Sequence, residues 1–349
     1  MYRGRSVGIV IPAYNESGFV GDVIESVPEY ADRVYVVDDC STDDTWDEIQ
    51  RHARAVNEAS EIAVMDGGAA SETGQTVAGG GDPGGSGQFE RRVVPIQHEQ
   101  NRGVGGAIKT GYEHAREDGI EITSVMGGDG QMDPEILDRL LDPIVEDRAD
   151  YVKGNRLVDP ADREEMPTFR LIGNGILSVL TKIASGYWKI GDPQNGYTAI
   201  SLDALESAPV EDMYEYYGYC NDLLVKLNAC ELRVADVPVP SRYDDEESHI
   251  SYGEYIPKVS LMLLSNFVWR LRVKYLARDF HPLVFLYALG AAGSLAGLGR
   301  ALRNVTPTDD AEDSRASSLP IALLGALSLV LAMIFDMRAN EDLEERDFE

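Results

Sequence analysis

Two stretches near the C-terminus constrain this chain most. Phe280–Gly299 and Ala316–Phe335 are each twenty residues without Asp, Glu, Lys or Arg. At about 1.5 Å per residue, such a helix reaches about 30 Å, the hydrocarbon thickness of a bilayer. The alternative is a pair of helices buried in a soluble core. Gly290, Ala291, Ala292, Gly293, Ala296 and Gly297 favour the bilayer, because small residues let helices approach closely in lipid. The expectation is a transmembrane hairpin of 280–299 and 316–335. Arg270, Arg272, Lys274 and Arg278 stand just before it, so positive-inside counting keeps 1–279 and the acidic tail 336–349 in the cytoplasm. The expected location is the cell membrane, multi-pass. Residues Met1–Arg5 run straight into a strand-like segment with no signal-peptide pattern. In 256–279, Val259, Leu263, Phe267 and Leu271 recur every four residues with Arg and Lys between. That pattern is either an amphipathic helix at the membrane interface or a surface helix on the core.

Charge excludes one large class of function. Asp and Glu number 60 against 31 Lys and Arg, a net charge of −29, whereas nucleic acid needs a basic face. Only seven of the basic residues are Lys. The acidic excess, spread along the whole chain, fits a salt-loving organism, where dense salt screens self-repulsion; an acidic partner surface is the alternative. Cys40, Cys220 and Cys230 are scattered, arguing against a disulfide framework or a thiolate zinc site.

Residues 6–155 alternate strand and helix signals: Val7–Ile11, Val20–Val27, Val34–Val37, Asp43–Arg54, Val93–Gln97, Val104–Asp118, Ile122–Met126 and Pro134–Glu146. This βαβα order predicts an α/β domain with a mostly parallel sheet, whose ligands bind at the carboxyl ends of the strands. Residues 57–90 break the rhythm. They are rich in Gly, Ser, Ala and Thr, with too few bulky apolar residues to offset ordering entropy, and read as a flexible insertion.

Chemistry-bearing clusters fall where the strands end. Ile11-Pro-Ala-Tyr-Asn-Glu16 can face a nucleoside base and ribose, or merely form a turn and helix cap. In Val36-Val-Asp-Asp-Cys-Ser-Thr-Asp-Asp-Thr45, capping explains one acid but not also the pair Asp38 and Asp39. In Val125-Met-Gly-Gly-Asp-Gly-Gln-Met-Asp-Pro-Glu135, Asp129 and Gln131 are hard oxygen donors on a tight turn, suited to Mg²⁺ or Mn²⁺. The alternative there is an Asx-type turn opening the Pro134 helix.

Together with Asn101-Arg-Gly-Val-Gly-Gly106, these motifs resemble the family 2 glycosyltransferases, more narrowly the archaeal dolichyl-phosphate mannose or glucose synthases, over about residues 6–255. The resemblance implies a GT-A catalytic domain, Rossmann-like, over 1–255. It also implies an inverting transfer of a hexose from a UDP- or GDP-sugar to a dolichyl or other polyprenyl phosphate, feeding protein N-glycosylation or surface-glycan assembly. By position, Pro12, Tyr14, Glu16, Asp39 and Asp129 would hold the nucleotide sugar, and Asp129 and Gln131 the Mg²⁺ or Mn²⁺. The family usually reads Asp-x-Asp-x-Gln; Gly127 stands where the first Asp belongs. Val152-Lys-Gly-Asn-Arg156 resembles the family's Gly-Ser-Arg segment. Arg156 and Arg170 would then clamp a lipid phosphate; the alternative is surface ion pairing. Gly191-Asp-Pro-Gln-Asn-Gly-Tyr197 resembles the segment below the donor sugar, bringing in Asp192 and Gln194. His249, in Tyr243–Tyr252, stands where relatives often carry Lys and would contact diphosphate, or is simply solvated. Two other readings are a transferase extending a lipid-linked oligosaccharide, with Asp192 or Asp222 as base, and an inactive membrane adaptor of the same fold.

Overall fold

The computed structural model describes residues 1–68, 89, 91–158, 168–240, 252–278, 280–303 and 311–346. Strands β1 (Val7–Ala13), β2 (Arg33–Asp38), β3 (Val93–Gln97), β4 (Ile122–Val125), β5 (Tyr151–Asn155), β6 (Thr198–Ser201), β7 (Val234–Pro238) and β8 (Glu344–Arg346) form one sheet in the order β3-β2-β1-β4-β6-β5-β7-β8. Every pairing is parallel except those of β6, which runs against both β4 and β5. All other strands therefore present their carboxyl ends at one edge, where the motif loops emerge.

Period-two alternation splits the core between the two faces. Val7, Ile9 and Ile11 of β1 face Ile24, Ile49 and Leu140 from helices α1 (Val20–Ser26), α2 (Thr45–Gly68) and α4 (Leu137–Val145). Val10 and Tyr35 face Ile108, Tyr112 and Leu224 from α3 (Val104–Glu117) and α7 (Tyr219–Ala229). The remaining helices are α5 (Thr168–Ser185), α6 (Leu202–Ser207), α8 (Tyr252–Arg272), α9 (Leu283–Arg303) and α10 (Ala311–Ala339), with a π-helical segment at Val273–Arg278.

Three expectations are corrected. The insertion does not start at 57: α2 runs to Gly68, and the Asn57 amide is hydrogen-bonded to both the N–H and the C=O of Val93, tying the helix to β3. Residues 69–88 and 90 lie outside the described residues. On α8, the stripe Val259, Leu263 and Leu271 is buried, with Val259 and Leu263 packed beside Leu177 of α5 and Val225 of α7, so it faces the core rather than a membrane. Arg270 and Lys274 are buried too, while Leu261, Leu264, Val268 and Trp269 are exposed. The outer face is thus mixed, with these apolar side chains beside exposed Lys258, Ser265 and Arg272, and is not the uniformly polar basic face expected. Finally, the described part of the expected tail, 336–346, is folded onto the domain. Glu344–Arg346 is strand β8, paired with β7.

Leu283–Leu302 and Leu319–Ala339 are long and apolar enough to cross a membrane, and about a fifth (22%) of the most apolar window of each is buried. They pack antiparallel through small residues. A Cβ on Gly290 would meet Leu329 and one on Gly297 would meet Ala322, while one on Gly293 would come 3.1 Å from Gly325 Cα. Leu289, Leu295, Leu323 and Leu324 are left exposed on the outside, an apolar belt too large for an ordinary water-facing surface.

Candidate active site

The first half of the site is built where β1, β2 and β3 end. Asn15, at a left-handed φ of 57°, accepts from the Thr42 N–H at 2.8 Å, and its own N–H donates to Ser41 Oγ at 2.9 Å. The Glu16 N–H donates to Thr45 Oγ1 at 2.8 Å. These bonds latch the loop after β1 to the loop after β2 and leave Tyr14 exposed at the edge beside Pro12 and Glu16. Asp39 is buried, and its carboxylate accepts from His98 Nδ1 (2.7 Å) and from the N–H groups of Arg102 (2.8 Å) and Gly103 (2.7 Å). It therefore orders the Asn101–Gly106 loop. Gly103 sits at φ 81° and a Cβ there would lie 2.6 Å from Glu215 O, so this loop requires glycine.

Sequence reading missed His98, which links Asp39 to Thr110 Oγ1 (2.9 Å), and Arg102, which pairs with Glu215 at 2.6 Å. The available signal for His98 was its place one residue beyond a strand's carboxyl end. Tyr217 was missed as well. Its ring is about half exposed, and partial burial together with the nearby Glu16 carboxylate pushes its phenol up, which sets it beside the Tyr14–Glu16 loop.

Asp129 lies on the loop after β4, held against β1 by a bond from the Gly128 N–H to Pro12 O at 3.2 Å. Its Oδ1 accepts from the Gln131 N–H at 3.1 Å. Burial pushes its carboxyl above the usual range, and no basic side chain contributes to offset this. A buried carboxylate so placed is one that a divalent cation would relieve. A Cβ on Gly127 would stand 2.8 Å from Asp129 Oδ1, so Asp129 leans into the space that a side chain at 127 would enter. Among the described residues no three His, Cys, Asp or Glu side chains cluster as a cage. The residues fit a Mg²⁺- or Mn²⁺-type ion held by Asp129 and Gln131 and completed by substrate phosphates and water.

The second half lies at the ends of β5 and β7. Arg156 is not an independent clamp: its Nε donates to Asp192 Oδ2 at 2.8 Å and its Nη2 reaches Oδ1 at 3.4 Å. Burial acts to raise the Asp192 pKa, but Arg156 and Lys153 together hold it below the ordinary carboxylate range. An acid held ionised by a guanidinium is a poor base, which tells against that role for Asp192. Asp222 is unsuited as well: Lys226, Asn266 and the Tyr214 N–H all donate to its buried carboxylate. Among the described residues, the Gln194 Nε2 is buried without a hydrogen-bond partner. Only the backbone of Arg170, on the first turn of α5, is described, and His249 lies outside the described residues.

The two halves are joined. Tyr197 Oη donates to Asp133 O at 2.8 Å, and Gly196 packs beside Met132. The loop carrying Asp192 is thus fixed to the loop carrying Asp129.

Behind them, Asp236 accepts from Asn155 Nδ2 (2.6 Å) and the Gly191 N–H (3.2 Å), while its Oδ1 is buried without a partner. Burial pushes its carboxyl from 3.8 to about 6. A carboxyl that titrates high in the fold binds a proton the unfolded chain has released, so stability falls as pH rises from about 4 to about 6 and is level above. The loss is on the order of 3 kcal/mol. In Asp236→Asn the oxygen keeps both bonds and the charge is gone. Denaturant unfolding between pH 4 and 7 should show a flatter profile for the variant and greater stability at pH 7. An unchanged profile would mean Asp236 is ionised throughout.

A buried acid-lined edge over a mostly parallel sheet, with an aromatic at its mouth, is the carboxyl-end cleft of a GT-A-type fold. The model of "Glycosyl transferase family 2" matches residues 8–65 and 53–208, and the chain belongs to that family. It is 29% identical over 242 residues to the UDP-N-acetylglucosamine–dolichyl-phosphate N-acetylglucosaminyltransferase of Methanococcus voltae, covering 69% of this chain and 87% of the relative. It is 28% identical over 236 residues to the undecaprenyl-phosphate mannosyltransferase of Micrococcus luteus, covering 66% and 81%. A crystal structure described as a mycobacterial protein superposes with a TM-score of 0.52 at 20% identity, over 76% of this chain and 75% of that one, a likeness of fold.

Proposed function

We propose that this glycosyltransferase moves a hexose, plain or N-acetylated, from a UDP- or GDP-sugar onto a membrane polyprenyl phosphate such as dolichyl phosphate. The observation that carries the reading is the joining of the Asp129 loop to the Arg156–Asp192 loop through Tyr197 and Asp133. In this reading Arg156, oriented by Asp192, binds the acceptor phosphate next to the donor phosphates. The relatives' named acceptors are lipid phosphates, and the apolar hairpin suits an acceptor that lives in a bilayer. Pro12, Tyr14, Glu16 and Asp39 form the nucleoside end. Asp129 and Gln131 hold Mg²⁺ or Mn²⁺, whose charge supports the departing diphosphate when bound. The acceptor phosphate is already anionic, so its oxygen can attack C1 without a base while the bond from C1 to the nucleoside diphosphate breaks. That chemistry agrees with Asp192 and Asp222 both being occupied, and it disfavours a hydroxyl acceptor. The catalytic domain faces the cytoplasm of a salt-loving archaeon, where the product feeds glycoprotein or surface-glycan assembly.

The test is a screen of labelled UDP- and GDP-hexoses and N-acetylhexosamines with polyprenyl phosphate, Mn²⁺ or Mg²⁺ and molar salt. One donor should give solvent-extractable labelled lipid. Free sugar as the sole product, or no turnover with any donor, would contradict the proposal.

A further inference from the structure

We propose that Glu344 is a positioning residue for the Arg156–Asp192 loop, which makes the chain beyond the second apolar helix a working part of the transfer site. The inference rests on the acceptor reading of Arg156 given above. The exit of that helix is fixed first. Asp336 and Asn340 are wholly buried. Arg270 forks onto Asp336 at 3.1 and 2.6 Å, Tyr275 Oη donates to it at 2.6 Å, and Asn340 Oδ1 accepts from Lys274 Nζ (2.8 Å) and Asn228 Nδ2 (2.9 Å). Arg270 and Lys274 come from α8 and the π-helical segment, and Asn228 from α7 of the catalytic domain. The hairpin's end is therefore bolted to that domain.

One helical turn later, β8 pairs with β7, with Glu344 opposite Val234 and Arg346 opposite Asp236. The Glu344 side chain turns inward and accepts the backbone N–H of Lys189, with the Trp188 N–H also directed toward it. The grip is reciprocal. Lys189 Nζ donates to Glu341 O (3.2 Å) and Glu344 O (3.1 Å), and Arg346 Nε donates to Lys189 O at 2.6 Å. Asp192 follows three residues after Lys189. Between them the Gly191 N–H is held by Asp236, and Asp192 then holds Arg156. A half-buried N–H needs an acceptor, and in this loop the tail supplies it. Burial raises the Glu344 carboxyl, a cost that an apolar residue at an edge strand would avoid. The carboxylate is explained by the Lys189 amide it serves.

The experiment compares Glu344→Ala, Glu344→Gln and Glu345→Ala in the full chain. Glu345 is the strand neighbour whose side chain instead meets Arg148 at 2.6 Å. Three quantities are read: kcat/KM for polyprenyl phosphate, nucleotide diphosphate affinity, and hydrogen exchange at the Trp188 and Lys189 amides. Glu344→Ala should lose roughly ten- to a hundredfold in acceptor kcat/KM, keep its nucleotide affinity and speed exchange at both amides. Glu344→Gln, still an acceptor, should recover most of this, and Glu345→Ala should match wild type. Unchanged exchange in Glu344→Ala, equal losses in Glu345→Ala, or a loss confined to the donor would overturn the proposal. A wild-type enzyme that ignores polyprenyl phosphate would refute the acceptor reading instead, and exchange at the two amides would still decide whether Glu344 braces the loop.

Discussion

Asp129→Ala should abolish sugar transfer and leave the fold in place. Among the described residues its side chain makes no ion pair whose loss would strand a buried cation, and its hydrogen bond closes only its own two-residue turn. Removing it also removes a buried charge that the fold holds at a cost, so the unfolding midpoint should move little. Activity is different. In the proposed site Asp129 would be the metal-side carboxylate, with Gly127 at the position of its usual companion. The expected loss is about a thousandfold or more, roughly 4 kcal/mol of barrier, together with loss of metal-dependent nucleotide binding by calorimetry. A variant within about tenfold of wild type, roughly 1.4 kcal/mol, would place the chemistry elsewhere.

Arg156→Lys separates acceptor from donor. The guanidinium fork onto Asp192 uses two nitrogens, and an ammonium cannot reproduce that planar geometry. Losing one charge-assisted bond costs about 1.5–3 kcal/mol, so acceptor kcat/KM should fall roughly ten- to a hundredfold. Nucleotide diphosphate affinity should stay put. Weakened UDP or GDP binding with normal acceptor kinetics would move Arg156 into the donor site.

Local patterns made much of this legible in the sequence. Val93–Gln97 matches β3 residue for residue, and Val7–Ile11 and Val34–Val37 lie within β1 and β2, because buried parallel strands are short apolar runs bounded by turn residues. The four strand-end motifs arrive at one sheet edge because strand direction alone puts them there. What failed to show depended on tertiary partners. Helix α2 outlasts its apolar pattern because Asn57 is tied to β3, a contact across 36 residues. The α8 stripe gave the right period and the wrong neighbour, since periodicity marks a buried face without saying what buries it. Glu344-Glu345-Arg346 has no strand propensity at all and is a strand only because β7 offers an open edge. In the site, Arg156 was legible as a cation and Asp192 as an acid, but their pairing spans 36 residues and the whole of α5.

The central claim is that the acceptor atom is a lipid phosphate oxygen, and the bond in the product tests it most directly. The full chain in vesicles, given labelled donor, polyprenyl phosphate, Mn²⁺ or Mg²⁺ and molar salt, should release one nucleoside diphosphate per sugar transferred. Mild acid should then free the label from the lipid as the monosaccharide, because a sugar joined through its anomeric carbon to phosphate is acid-labile. Label released as an oligosaccharide, or retained on lipid through mild acid, would show a glycosidic bond to a hydroxyl, and label found only as free sugar in water would show hydrolysis; any of these contradicts the account.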